Sequence, residues 1–381
     1  MTLKIARRGQ IPPFLAMDFL RAAARREAQG AHVCHLEVGQ PASGLPPAAL
    51  AELGKTLATE RMGYTVAQGI EPLRHALADM YDTVYGVSVD PERIVLTCGS
   101  SGGFVLAILA AFEPGDRVGI TCPGYPAYRH MLSALGCEPV PIRVDARTGY
   151  RLTAAALEAV DPPLDGLIVA SPANPTGTVI PGPEMQAIMT VCDARGIRLI
   201  SDEIYHGLTY ADPATTVAGL SPNPIVVNSF SKFYCMTGWR LGWVVAPAEL
   251  LRPMECLAQN LYISPPTLSQ HAGILALRHR ADFDVLRETY ARNRALLSAA
   301  LPELGIRHFA PADGAFYLYA DVSDITSDSL AFCERMLEET GVATTPGLDF
   351  DDGEGSRFVR FSFCTTTAEI EEAVRRLKAW L

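Results

Sequence analysis

At 381 residues the chain is too long for one small core, and two domains are expected; 49% hydrophobic and 19% charged residues describe a well-buried globular protein. A net charge of −10 argues against a nucleic-acid surface. Nine scattered cysteines without a C-x-x-C read as reduced core thiols of a cytoplasmic protein, and eight histidines without H-E-x-x-H spacing give no metal site, His32 and His35 being the closest pair. The N-terminus carries no signal-peptide apolar core, and no apolar run is long enough to span a bilayer.

An extended arm is expected over residues 1–13, then a helix from Phe14 to Gln29, which Gly30 stops. His32 to Val38 is a short strand candidate ending at Gly39-Gln40-Pro41. Helices follow at Ala48 to Thr59 and Glu71 to Tyr85, with an irregular loop around Gly63 and Gly69 between them. From Pro91 strands and helices alternate. The strands are Ile94–Cys98, Arg117–Thr121, Leu167–Ala170, Ile197–Ser201, Ile225–Asn228 and Leu241–Ala246. Helices are expected at 101–112, 127–135, 152–160 and 183–195. Apolar strands interleaved with helices predict an α/β fold, with a mostly parallel sheet covered on both faces. After Pro247 three helices (248–259, 267–280, 283–301) lead into a smaller α+β part. Its strands are at 306–309, 315–320 and 358–363, and its helices at 329–340 and 368–381.

Lysine is scarce: Lys4, Lys55, Lys232 and Lys378 are the only four. Lys232 nonetheless stands between two apolar runs, Ile225–Phe230 and Phe233–Met236. A buried ammonium is costly unless it is paired or neutralised. Either Lys232 is a surface lysine on a loop, or its amine is needed, as in a Schiff base. Ser229, Ser231, Gly238 and Arg240 surround it with groups that suit a phosphate. A phosphate-bearing aldehyde that condenses on lysine is pyridoxal phosphate. The pattern S-x-S-K-x-x-x-x-x-G-x-R resembles the lysine motif of the class I/II aminotransferases, the aspartate aminotransferase-like family of fold type I.

Further motifs follow in the family's order. Gly99-Ser100-Ser101-Gly102 sits between a strand and a helix, where free N–H groups and the helix dipole favour a phosphate, although alone it could be turn chemistry. The resemblance implies phosphate contacts from Ser100, Ser101, Ser229 and Arg240. It places Tyr125, in Pro-Gly-Tyr-Pro, against the pyridine ring. Asn174, in Asn-Pro-Thr-Gly, and Tyr205 would bond the cofactor's phenolic oxygen, and Asp202 would face the protonated pyridine nitrogen. Lys232 would carry the cofactor and shuttle the proton. Arg360, with the Gly39 backbone and Asn174, would take the substrate carboxylate. Tyr64 matches a tyrosine that reaches the phosphate of a neighbouring subunit, which implies a homodimer with shared sites.

The resemblance implies a large domain over 46–280 and a small one over 1–45 and 281–381. It implies transfer of an amino group from an L-amino acid to a 2-oxo acid. A carbon–sulfur β-lyase on the same scaffold would need the same Lys232, Asp202 and Arg360. A non-catalytic homologue is disfavoured by Lys232. A regulator's effector domain is disfavoured because too few residues precede the His32 strand for a DNA-binding domain. Phe14, Leu15, Tyr64 and Tyr262 hint at an apolar or aromatic side-chain pocket, and no arginine is identifiable for a dicarboxylate side chain.

Overall fold

The computed structural model describes residues 3–381; Met1 and Thr2, the start of the expected arm, lie outside the described residues. Seven strands build the central sheet: β1 (Ile94–Thr97), β2 (Arg117–Cys122), β3 (Glu138–Arg143), β4 (Gly166–Ala170), β5 (Arg198–Asp202), β6 (Ile225–Ser229) and β7 (Gly242–Val245). Their spatial order is β1-β7-β6-β5-β4-β2-β3. Neighbours from β3 to β6 are parallel, while β7 runs against both β6 and β1.

The continuous apolar runs of these strands have a direct cause. Successive side chains point to opposite faces, and both faces are covered. Leu167, Val169, Leu199, Val226 and Trp243 belong to one core, while Ile168, Ile200, Val227 and Val244 belong to the other. The Gly99–Ala111 helix lies over β6 and β7 on the second face. Topology therefore brings the C-terminal ends of β1, β2, β4, β5 and β6 to one edge, where α/β sheets place their ligands.

The β3 strand was not expected from the sequence. Its Glu-Pro-Val-Pro-Ile-Arg carries two prolines, which cannot donate to a ladder. It is tolerated as the edge strand, with Pro139 and Pro141 two residues apart opposite Val118 and Ile120. The expected strand over 32–38 shrinks to Cys34–His35, which runs parallel to Val342–Ala343.

A second, antiparallel sheet contains β8 (His308–Phe309), β9 (Tyr317–Asp321), β10 (Thr345–Pro346) and β11 (Phe358–Ser362), in the order β10-β11-β9-β8. Its register sets Tyr319 opposite Arg360, so Tyr317, Tyr319 and Arg360 share a face. The N-terminal helix, Leu15–Ala28, has no capping side chain of its own. Asp349 supplies one from 334 residues away: its two carboxylate oxygens accept from Leu15 N at 3.0 Å and Ala16 N at 3.1 Å. Asp349→Ala is therefore expected to cost about 1–2 kcal/mol, read as a lower urea midpoint at unchanged slope. An unchanged midpoint would show that the helix start is held by other contacts.

Candidate active site

At the C-terminal edge of the large sheet lies a cavity of about 240 Å³. Ten of the residues singled out from the sequence line it: Gly39, Ser100, Ser101, Tyr125, Asn174, Asp202, Tyr205, Lys232, Arg240 and Arg360. Phe14 lines it as well; Leu15 and Tyr262 do not. Two further expected residues lie elsewhere. Ser229 is buried beneath, its hydroxyl 2.9 Å from Ser231 Oγ and 3.0 Å from the Leu241 carbonyl. Tyr64 is 84% exposed and is not part of the wall.

One end of the cavity is built for an anion. The Gly99–Ala111 helix begins there, with Ser100 and Ser101 in its first turn and its free N–H groups at that end. Arg240 sits beside it, its backbone in the left-handed region, donating from Nη1 to the Thr237 carbonyl at 2.9 Å. Ser231, expected from the sequence among the groups that suit a phosphate, adds a hydroxyl, and so does Thr237, which the sequence had not assigned. Gly99 has φ +72°, and a side chain there would put its first carbon 2.5 Å from Arg240 Nη2. Glycine is thus required twice over, for the backbone and for the approach of the guanidinium.

Across the floor the charges are set by burial. Asp202 ends β5 at 4% exposure. One oxygen accepts from Ile204 N at 3.0 Å and the other from the Tyr128 hydroxyl. Among the described residues no cation lies at ion-pair distance from it, and burial pushes it up to about 6. Lys232 donates from Nζ to the Gly39 carbonyl at 2.7 Å. Burial brings its amine down to about 8, so an appreciable fraction is neutral near pH 7. Tyr205 and Tyr317 place their hydroxyls 2.9 Å apart.

The far wall holds Arg360, which is 2% exposed. Its Nη1 donates to Asn174 Oδ1 at 2.8 Å, and its Nη2 to the Glu37 carbonyl and, at 3.3 Å, to Thr345 Oγ1. The guanidinium stacks over Tyr317 at 4.3 Å and Phe350 at 4.7 Å. Among the described residues it has no ion-pair partner, and its Nε–H is buried without an acceptor. A buried guanidinium left without a carboxylate is costly unless a ligand supplies one.

Comparison with known proteins agrees with this geometry. The family model for aminotransferase class I and II matches residues 31–377. The chain belongs to the class I and II aminotransferases. It is 51% identical to a valine–pyruvate aminotransferase of Mycobacterium tuberculosis, over 100% of this chain and 99% of that one. An aspartate/prephenate aminotransferase of Thermus thermophilus is 32% identical, over 91% of each. Among solved structures, an aminotransferase from Mycobacterium tuberculosis superposes with a TM-score of 0.97 at 51% identity, covering 100% and 99%. Aspartate aminotransferase from Thermus thermophilus with maleate gives 0.94 at 30%, covering all of both chains.

This aminotransferase is therefore a pyridoxal-phosphate-dependent transaminase. The residues present fit that group. The Gly99 turn with Arg240 is a cradle for a dianion, and Asp202 is a buried carboxylate without its own cation. Tyr128, whose hydroxyl holds Asp202, and Tyr317, which holds Tyr205, complete a wall that no local motif had shown.

Proposed function

We propose that the aminotransferase moves the amino group of an L-amino acid with a small apolar side chain, such as valine, to pyruvate. Arg360 carries this reading: it is fully buried, unpaired among the described residues, and faces a cavity walled by Phe14, Ala16, Met17, Val38 and Met131. Among the described residues the only other cationic side chains on that wall are Lys232 and Arg240, so a second carboxylate would have no partner of its own there. The name of the valine–pyruvate relative points the same way.

When bound, pyridoxal phosphate supplies an aldehyde and a protonated ring that takes up the electron pair left on deprotonation of the substrate. Ser100, Ser101, Ser231 and Arg240 would hold its phosphate, with Thr237 beside them and Ser229 beneath, its hydroxyl bonded to Ser231 Oγ at 2.9 Å. Tyr125 would stack on its ring, Asn174 and Tyr205 would bond its phenolic oxygen, and Asp202 would hold the ring proton. Lys232 would carry the aldehyde and then, as a free amine, take the proton from the substrate α-carbon. Arg360 and the Gly39 backbone would fix the substrate carboxylate, aided by Asn174, so that the α-proton faces Lys232 Nζ.

Initial rates with a panel of amino acids and oxo acids test the substrate class. L-valine with pyruvate should exceed L-aspartate by about 100-fold or more in kcat/KM, since a side-chain carboxylate would be buried unpaired. Equal rates for aspartate would sink this substrate assignment.

The amine itself offers a second test. Labelling of Lys232 in cofactor-free protein by an amine-reactive reagent should rise with pH and level off above about 8, the value burial gives it. An ordinary lysine levels off only near about 10.4. Mass spectrometry of the Lys232 peptide reads the curve, and a plateau beyond pH 10 would mean that the amine is not neutralised by burial.

The same reading makes the functional unit a homodimer. Tyr64 is 84% exposed beside Val66 at 65%, and Leu261 and Ile263 are also exposed. The two segments are tied by Thr267 Oγ1 donating to the Gly63 carbonyl at 2.6 Å. Such an apolar surface suits a second copy of the chain, with Tyr64 reaching the copy's phosphate end. We also divide the chain into a domain over 46–280 and one over 1–45 with 281–381; the pairing of Cys34–His35 with Val342–Ala343 supports it. Among the described residues no helix is long and apolar enough to cross a membrane. All nine cysteines are free, which supports a cytoplasmic setting.

A further inference from the structure

Arg360 can serve a carboxylate only if its guanidinium is held in place. Two of its contacts come from side chains, Asn174 and Thr345, and the third is the main-chain carbonyl of Glu37. Thr345 Oγ1 also donates to that carbonyl, at 2.7 Å. Two residues on, the Gly39 carbonyl accepts from Lys232. The Glu37 carbonyl therefore sets the position of the arginine, and whatever holds Glu37 holds the guanidinium.

The side chain of Glu37 is an anomaly at this point. It is 0% exposed, and one of its carboxylate oxygens, Oε2, has no partner among the described residues. Burying a carboxylate with unused acceptor capacity is costly and needs a compensating charge. That charge is His35, two residues earlier, at the end of the short Cys34–His35 strand. Its Nδ1 lies 2.7 Å from Glu37 Oε1, and its Nε2 lies 3.1 Å from Glu27 Oε1 on the N-terminal helix. Each ring nitrogen faces a carboxylate, so both carry protons and the ring is an imidazolium. The Glu37 bond pushes the imidazole up to about 9, against the opposing effect of burial.

We propose that His35 and Glu37 form a positioning pair: they fix the Glu37 carbonyl, and through it aim Arg360 at the substrate carboxylate. The inference rests on the reading of Arg360 as the carboxylate-binding residue. His35 touches neither substrate nor cofactor; it acts through Glu37 and its main-chain carbonyl. Glu27 extends the pair to the helix that presents Ala16 and Met17 to the cavity, so the walls on both sides of the substrate are referred to one imidazolium.

The test uses His35→Gln and Glu37→Gln in the cofactor-loaded protein. Both should raise KM for the best amino donor and for its oxo acid by about tenfold, the loss of one charge-assisted hydrogen bond. The inhibition constant of 3-methylbutanoate, an unreactive carboxylate, should rise in parallel. kcat and the dissociation constant for pyridoxal phosphate should stay within about twofold. Glu27→Gln, at the exposed end, should give the same pattern more weakly.

An unchanged KM in folded His35→Gln overturns the proposal. So does an equal loss of kcat and cofactor affinity, which would mean general loosening. If Glu37→Gln does not fold, His35→Gln decides alone, because its ring is half-exposed. Arg360→Lys is run alongside. Should it leave KM unchanged, the reading of Arg360 is what fails; should it raise KM while His35→Gln and Glu37→Gln do not, only the positioning pair fails.

Discussion

Lys232→Ala is expected to give a folded protein whose turnover is lower by about four orders of magnitude or more. The estimate combines loss of the group that carries the cofactor with loss of a positioned base, the latter alone accounting for roughly 10²–10⁴. Folding should survive. The native ammonium is buried at a cost, with burial lowering its affinity for a proton, and its hydrogen bond is to a single carbonyl. Removing it leaves a larger cavity but no stranded charge. Circular dichroism and the urea midpoint check the fold, and an oxo-acid release assay checks turnover. Activity within tenfold of the wild type would remove Lys232 from the centre of the site.

Asp202→Asn should move activity and stability in opposite directions. Turnover should fall by about 10²–10³, the usual effect of removing one fixed charge that stabilises charge developing in the reaction. Cofactor-free protein should instead become more stable. The folded-state value of Asp202 is raised to about 6 from 3.8. Between those pH values the native state binds more protons than the unfolded one, so stability falls as pH rises and levels off above about 6. At pH 7 the ionised carboxylate therefore costs the fold, on the order of 1–3 kcal/mol. Asparagine lacks that cost, and the difference between variant and wild type should shrink as pH falls from 6 towards 4. Equal midpoints across that range, measured without cofactor, would mean that burial does not strain Asp202. Binding of pyridoxal phosphate should narrow the same gap from the other side, by giving the wild-type carboxylate its cation.

The site was legible in the sequence where local pattern and chemistry coincide. Asn174, Asp202 and Lys232 each follow an apolar strand and stand at or just past its end, where a polar residue has to be explained. Arg360 was readable through the resemblance of its Arg-Phe-Ser segment to the aminotransferase pattern rather than from the strand, whose residues 359–362 are all buried. Tyr317 was not readable: its partner Tyr205 lies 112 residues away, and nothing local distinguishes it from a core aromatic. Tyr128 falls one helical turn after Tyr125 and reads as ordinary packing, until its hydroxyl is found on Asp202. His35 looked like half of a weak metal pair, because Glu27 and Glu37 flank it in space rather than in a motif.

The fold shows the same division. The buried strands announce themselves as apolar runs, since both of their faces are covered. The edge strand β3 does not, because its two prolines argue against any ladder and only its edge position permits them. The ends of the Glu71–Tyr85 and Ser329–Thr340 helices are where the sequence put them, each closed by a glycine in the left-handed conformation.

The most direct test of the account is a single half-reaction. Protein loaded with pyridoxal phosphate is mixed with L-valine in the absence of any oxo acid, while its near-ultraviolet and visible absorbance is followed and the products are counted. Transamination through this site predicts one equivalent of 2-oxo acid per active site, no ammonia, and a spectrum that moves to the aminated cofactor and returns when pyruvate is added. Continuous release of ammonia with an unchanged spectrum would contradict it.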